Sequence, residues 1–281
     1  MFKRICLGVF ASLIIFIGIL HLVAPYVMGN DNSAESFFEP LNLAYSESFT
    51  SIGEVNLHAI TVGDSSLRSL ILFIHGTPGS WMDFREYLAD SLLRNRFRMI
   101  ALDRPGQGLS NYGESMVSIS DQVSHIQAFL VKLEYDSIIL VGYSYGGPIA
   151  GALASNPELH VSKLILLSPS NGSECEPIFW FNKFLNYNFV DDIFPPFVRV
   201  ANAEKMYHSE ALEGVMRKWQ NIRAATVHIH SVQDWIAPYA CNVDFSRRLI
   251  SPAILEVVTL ENAPHFLPNN KLVLVRGHII N

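Results

Sequence analysis

Apolar and polar positions divide the chain into three regimes. The first is "MFKRICLGVFASLIIFIGILHLVAPYVMGN", where residues 5–24 form a 20-residue apolar run interrupted only by Ser12 and His21. That length suffices for a helix to cross a bilayer core. Pro25 predicts the end of that helix, because proline lacks the amide that would continue the ladder. Lys3 and Arg4 precede the run and no further Lys or Arg occurs before Arg68. The positive-inside rule therefore predicts a cytoplasmic N-terminus and a remainder on the other side. A cleaved signal peptide, processed near Val27-Met28-Gly29, is the competing reading and predicts the same topology. Residues 30–40 are polar and acidic and read as a tether.

The second regime, from about residue 41, alternates short apolar runs with helical spacing. "LAYSESFTSIGEVNLHAITVGD" alternates around Gly53, as an antiparallel hairpin does. The runs "SLILFIHG", "FRMIALD", "SIILVG", "VSKLILLSP", "AATVHIHS" and "AILEVVTL" are continuous, as strands buried on both faces are. Between them, helical segments are predicted over 82–95, 120–134 (Ser120 as N-cap), 148–155 and 239–249, with a short last helix after Pro268. Strands alternating with helices predict an α/β fold with a mostly parallel, doubly wound sheet. The third regime interrupts this order. Residues 171–221 carry Phe179, Trp180, Phe181, Phe184, Tyr187, Phe189, Phe194 and Phe197 without a strand signal, and read as a helical insertion.

Composition narrows the picture. The chain has 281 residues, 49% hydrophobic and only 16% charged, with a net charge of -6. It is long enough for a substantial core and too apolar for a disordered protein. No basic cluster follows Lys3 and Arg4, so binding to nucleic acid has no electrostatic support. Of three cysteines, Cys6 lies in the apolar run. Cys175 and Cys241 either pair in an oxidising compartment or stay as buried thiols, and the sequence leaves both open.

The candidate chemistry centres on "LVGYSYGGPI". Ser144 follows a buried strand and opens a helix, with Gly142 and Gly146 two positions to either side. G-x-S-x-G in that context presents a nucleophilic serine on a strained turn, and the helix N-terminus faces any negative charge developing there. The motif alone is weak; the serine needs a base and a group that orients the base. Asp234 in "HIHSVQDWIAP" and His265 in "ENAPHFLP" each follow a strand, so both should reach the same C-terminal sheet edge as Ser144. The backbone amides of Thr77, in "HGTPGS", and of Tyr145 are the predicted oxyanion donors. Glu174 is a weaker candidate for the acid. His75 reads as structural. His228 and His230 form an H-x-H pattern, but no carboxylate–histidine set completes a metal site. Trp81, Met82, Trp180, Phe181 and Trp235 are the candidate walls of an apolar substrate pocket.

From about Leu41 onward the chain resembles the α/β-hydrolase fold family, in its serine hydrolase and esterase branch. The resemblance rests on five motifs in the family's order: His75-Gly76, "DRPGQGLS", "GYSYGG", "QDWIAP" and "APHF". It implies Ser144 as nucleophile, Asp234 as acid, His265 as base, and residues 171–221 as a lid. It implies no metal and no organic cofactor. Asn262-Ala263-Pro264 depart from the glycine many members carry before the histidine. Haloalkane dehalogenases and epoxide hydrolases of this fold use aspartate at the position of Ser144, which speaks against both. The expectation is a serine hydrolase acting on a small, fairly apolar carboxylic ester, tethered to a membrane through residues 5–24. The alternatives are a C–C bond hydrolase, a cofactor-free perhydrolase, a prolyl aminopeptidase-like enzyme that would use Asp191, Asp192 or Glu204 to hold a free amine, and a non-catalytic membrane-tethered binding protein.

Overall fold

A computed structural model of the chain describes residues 2–30, 33–187 and 193–281. Helix α1 spans Phe2–Met28, and its window Ala11–Met28 is long and apolar enough to cross a membrane. Most of its apolar side chains from Leu13 to Val23 are exposed. Pro25 lies inside the helix instead of ending it. The last turn is held from outside: the Ser80 hydroxyl donates to the Val27 carbonyl at 2.9 Å, and Met28 is buried against the domain. These contacts compensate for the ladder bond that proline removes.

The stretch read as a tether also departs from expectation. Residues Ser33–Phe38 form helix α2, and Phe38 is wholly buried, stacked between Tyr45 at 4.8 Å and Trp81 at 5.8 Å. Two aromatic anchors outweigh the polar composition around them, because burying each ring removes a large apolar area from water.

Eight strands form one sheet: β1 (Ser46–Ile52), β2 (Val55–Val62), β3 (Ser69–Ile74), β4 (Arg98–Leu102), β5 (Ser137–Tyr143), β6 (Val161–Leu167), β7 (Ala225–Ser231) and β8 (Leu255–Leu260). Their order is β1-β2-β4-β3-β5-β6-β7-β8. The β1–β2 hairpin turns at Gly53 and β2 runs antiparallel to β4; every later pairing is parallel. Because side chains alternate along a strand, β3 sends Leu70, Leu72 and Ile74 to one face and Ile71 and Phe73 to the other. Both faces must be covered, and helices do so.

The predicted helix over 82–95 is a 3-10 turn at Trp81–Phe84 followed by α3 (Arg85–Ala89) and α4 (Ser91–Arg94). Helix α5 (Ile119–Leu130) is capped by Ser118, not Ser120: the Asp121 amide donates to the Ser118 hydroxyl. Helix α6 (Gly146–Ala154) follows β5 directly. The insertion contributes α7 (Trp180–Phe184) and the long α8 (Pro196–Met216). Helix α8 is an integral layer, burying Val200, Leu212 and Val215. Helices α9 (Tyr239–Leu249), α10 (Leu267–Asn270) and α11 (Leu272–Ile280) complete the chain.

Cys175 at the start of the insertion and Cys241 in α9 are joined by a disulfide across 66 residues of sequence. Closing a loop of that length is worth about 4 kcal/mol by chain entropy, and native strain usually lowers the return. Replacing Cys241 by serine should cost about 2–4 kcal/mol in urea unfolding. Addition of dithiothreitol should bring the wild type down to the variant's midpoint and leave the variant unmoved.

Candidate active site

The parallel strands end together, and the loops that follow them build the site. Ser144 sits on the turn between β5 and α6 with φ of +49°, a left-handed conformation that a residue with a side chain adopts only under constraint. The Ser144 amide donates to the Leu167 carbonyl at 2.9 Å, and the Ser144 carbonyl accepts from the Gly147 and Ser170 amides. The two glycines are needed for space. A Cβ on Gly142 would lie 2.5 Å from the Gly146 carbonyl oxygen, and one on Gly146 would collide with the Ile74 and His75 carbonyls.

Ser144, His265 and Asp234 meet at the sheet edge and are almost fully enclosed. The Ser144 hydroxyl lies 2.9 Å from His265 Nε2, and His265 Nδ1 lies 2.6 Å from Asp234 Oδ2. The other carboxylate oxygen accepts from the Ile236 and Ala237 amides at 3.0 and 2.9 Å. An acceptor-only carboxylate fixes the tautomer: Nδ1 of His265 carries the proton and Nε2 is free to take one. Tyr145 follows Ser144 in the chain, and a Cβ on Gly76, the residue before Thr77, would lie 3.0 Å from the Ser144 Cβ; among the described residues neither the Thr77 nor the Tyr145 amide is taken by a protein acceptor. Such an arrangement can remove a proton from an attacking hydroxyl and hold a negative oxygen.

The H-x-H pair has a different role from a metal site. His230 Nε2 faces two acceptors, the Ala237 carbonyl at 2.8 Å and Asp234 Oδ2 at 3.2 Å, so it carries the proton. His230 Nδ1 must then accept from His228 Nε2 at 2.9 Å, and His228 Nδ1 accepts from the Ser246 hydroxyl at 2.9 Å. Ser246 in turn accepts from the Asn171 side chain. A one-way run of donors thus ends on Asp234. Burial raises that carboxyl, but the bonds from His230 and His265 and the Ala237 amide outweigh it and hold it well below the usual carboxylate range. Burial, followed by the neighbouring His230 and Arg247, pushes His228 well below the usual histidine value. The alternation His228-x-His230 just before Asp234 was the available signal; what it lacked was the direction of the ring nitrogens.

A second buried network reaches the Gly76 carbonyl and the Tyr145 ring. Arg104 is completely enclosed and pairs with both oxygens of Glu204, at 2.7 and 3.0 Å. Glu204 is therefore not available to bind a substrate amine, and Asp191 and Asp192 lie outside the described residues.

Of the candidate pocket walls, Met82 and Trp235 border hollows next to His265. A cavity of about 530 Å³ is bounded by Thr77, Met82, Asp83, Tyr143 and His265, and by Tyr26 and Val27 from the end of α1. An adjoining hollow of about 480 Å³ is lined by Trp235, Ile236, Pro264, His265 and Phe266. Trp81 lines neither: it is buried under α2, and its amide donates to Asp103. Trp180 and Phe181 also stand away from both, with Trp180 80% exposed. Helix α7 turns Asn182 inward to bond Asn202, which leaves its aromatic face outside. Tyr143 packs its ring 5.4 Å from His265, so the large residue before the serine braces the imidazole.

With this geometry in view, comparison with known proteins agrees on the fold. A model described as "alpha/beta hydrolase fold" matches residues 69–200. The chain has the α/β-hydrolase fold. It is 30% identical to Epoxide hydrolase 1 of Caenorhabditis elegans over 128 residues, 44% of this chain and 31% of that one. The chain spans between about a third and a half of the length of the first curated relatives it matches. A lipase structure from Acinetobacter baumannii AYE superposes with a TM-score of 0.67 at 17% identity, covering 88% of this chain and 94% of the other. A membrane phospholipase A, described as a bacterial virulence factor, superposes with a TM-score of 0.63 at 18% identity, covering 99% and 97%.

Asp83 is an ionisable group on the cavity wall. Burial and then the nearby Asp103 push its carboxyl up from 3.8 to about 7, against Arg104, the Gly76 amide and Arg85. A raised folded value means the fold prefers the protonated acid. Stability from this group is complete below its ordinary value and is lost as pH rises through 7. Ionisation also sets a negative charge beside the loop that would hold an oxyanion. The expected kcat/KM profile for an ester therefore falls above pH about 7. Asp83→Asn should remove that fall and raise the melting temperature at pH 8 but not at pH 4; a profile unchanged by the substitution would refute the assignment.

Proposed function

We propose that the chain is a membrane-tethered serine hydrolase that cleaves carboxylic esters of apolar small molecules through an acyl-enzyme. The observation that carries this reading is the continuous hydrogen-bond run Asp234–His265–Ser144 beside two untaken amides. In the proposed cycle, His265 Nε2 takes the hydroxyl proton as Ser144 Oγ attacks the ester carbonyl carbon. Asp234 stabilises the imidazolium without itself taking the proton. The Thr77 and Tyr145 amides hold the oxyanion. Collapse expels the alcohol, which receives its proton from His265. A water then gives a proton to His265 as its oxygen adds to the acyl carbon; collapse breaks the bond to Ser144 Oγ, which takes that proton back from His265, and the acid is released.

The epoxide hydrolases among the relatives raise a second chemistry. Ser144 argues against it, because the members that open epoxides carry aspartate at this position. The wall that Tyr26 and Val27 lend to the cavity supports a substrate drawn from, or near, the bilayer. The exposed aromatics Trp180, Phe181, Phe184 and Tyr187 support the same view, since exposed apolar side chains suit contact with an apolar phase. We assign residues 1–29 to the anchor, 30–40 to the connecting segment and 41–281 to the hydrolase domain, with its lid insertion at about 171–221. The placement of that domain outside the cytoplasm is supported by Lys3 and Arg4 before the span and by the Cys175–Cys241 disulfide.

Ser144→Ala should lower p-nitrophenyl butyrate turnover by at least about 10⁴-fold while leaving the unfolding midpoint in place. A fluorophosphonate probe should label the wild type at Ser144 and leave the variant unlabelled. Full ester turnover by the variant, or epoxide opening by the wild type without ester cleavage, would overturn the reading. Separately, an alkaline phosphatase fused after Asn281 should be active and a β-galactosidase fusion inactive; the reverse would place the domain in the cytoplasm.

A further inference from the structure

Glu204, on the insertion helix α8, is fully buried and far in sequence from every loop at the sheet edge. Its oxygens accept four N–H bonds: Oε1 from Arg104 at 2.7 Å and Gln122 at 3.1 Å, Oε2 from Arg104 at 3.0 Å and Gln107 at 3.0 Å. The groups it holds lead directly to the loop at Gly76-Thr77. Arg104 donates through Nε to the His75 carbonyl at 3.0 Å and through NH2 to the Gly76 carbonyl at 2.8 Å. Gln107 donates to the Thr77 hydroxyl at 2.9 Å. His75 completes the clamp: its Nε2 accepts from the Arg104 amide, so its Nδ1 carries the proton and donates to the Gly76 carbonyl at 2.8 Å. Burial and then the Arg104 charge hold this imidazole neutral, consistent with that tautomer.

The Gly76 carbonyl and the Thr77 amide belong to one planar peptide unit, in which C=O and N–H point in opposite directions. Two donors fixing the oxygen therefore fix the aim of the hydrogen. Arg104 also lies 4.6 Å from the centre of the Tyr145 ring, against the residue that carries the second amide. Arg104 cannot be enclosed as a cation without a counter-charge, and among the described residues its salt-bridge partner is Glu204.

We propose that Glu204 is a positioning residue for the oxyanion hole, acting through Arg104 and Gln107 on the Gly76–Thr77 peptide. The inference rests on the serine hydrolase reading of Ser144. It makes docking of the insertion and assembly of the hole a single event: when α8 leaves Arg104, the Thr77 amide loses its aim.

The test compares Glu204→Gln and Thr77→Val with wild type, using p-nitrophenyl butyrate, an alkyl trifluoromethyl ketone and the amide isosteric with the ester. The ketone adds Ser144 Oγ to its carbonyl, passes the hydroxyl proton to His265 and leaves its oxygen negative in the hole; the amide binds without that charge. Glu204→Gln should lower kcat by about 10–100-fold, with KM within about twofold. It should weaken ketone inhibition by a like factor and leave amide inhibition unchanged. The acid limb of the pH profile should not move. Thr77→Val, which removes only the Gln107 acceptor, should lower kcat at least about threefold with the same split, and it decides the matter if Glu204→Gln does not fold. Unchanged kcat, or parallel losses of ketone and amide binding, in a folded variant would overturn the inference alone. A wild type that takes up no fluorophosphonate at Ser144 would overturn the nucleophile assignment and the inference with it.

Discussion

The site depends on one backbone constraint, the left-handed turn at Ser144. That conformation costs about 1–3 kcal/mol and persists only where surroundings over-determine it. Here the surroundings are the strands themselves: β5 enters from one side, α6 leaves on the other, and the carbonyls at the end of β3 press against Gly146. The turn needs a sheet already paired in register, because the Leu167 carbonyl of β6 receives the Ser144 amide. The serine is thus held up to the cavity by the whole central sheet, while its partners come from loops after β7 and β8. Local strain at one residue is sustained by many ordinary contacts elsewhere.

Around that turn, buried polar groups are organised as two saturated carboxylates. Asp234 and Glu204 are each surrounded by directed donors. In a low-dielectric interior an unsatisfied carboxylate is costly, and a fully bonded one rigidifies its neighbours. Asp234 transmits this rigidity to the imidazole and Glu204 to the backbone at residues 75–77. Asp83 is the contrast: it faces the cavity with fewer donors and is the group displaced toward neutrality. A third enclosed carboxylate, Asp103, is tied to His58 at 2.8 Å and to the Trp81 amide at 2.6 Å, anchoring the loop that follows β4.

What could be read from the sequence was what short-range patterning encodes. The six apolar runs became β3 to β8, and the alternation around Gly53 became the β1–β2 hairpin, because side-chain period and strand burial are local properties. Ser144, Asp234 and His265 could be placed because each follows a strand, and parallel strands end at one edge. The disappointments share a cause. Phe38 looked like part of a tether because its partners, Tyr45 and Trp81, come from elsewhere in the chain. Trp180 and Phe181 looked like pocket wall because hydrophobicity does not state which way a five-residue helix faces; Asn182 decides that through Asn202. Glu204 and His230 were visible as residues but not as partners of Arg104 and Asp234. Those pairings span 100 and 4 positions respectively, and both depend on where side-chain nitrogens point.

The end of α1 is both the last turn of an apolar helix and, through Tyr26 and Val27, part of the wall of the cavity beside His265. On the proposed reading, anchor and chamber are consequently not separable parts. Proteolytic release near residue 29 would open the chamber on one side and free the Ser80 hydroxyl from the Val27 carbonyl. On that same reading, a trimmed form would be a different catalyst from the tethered one, with another selectivity, and not the same catalyst in another place.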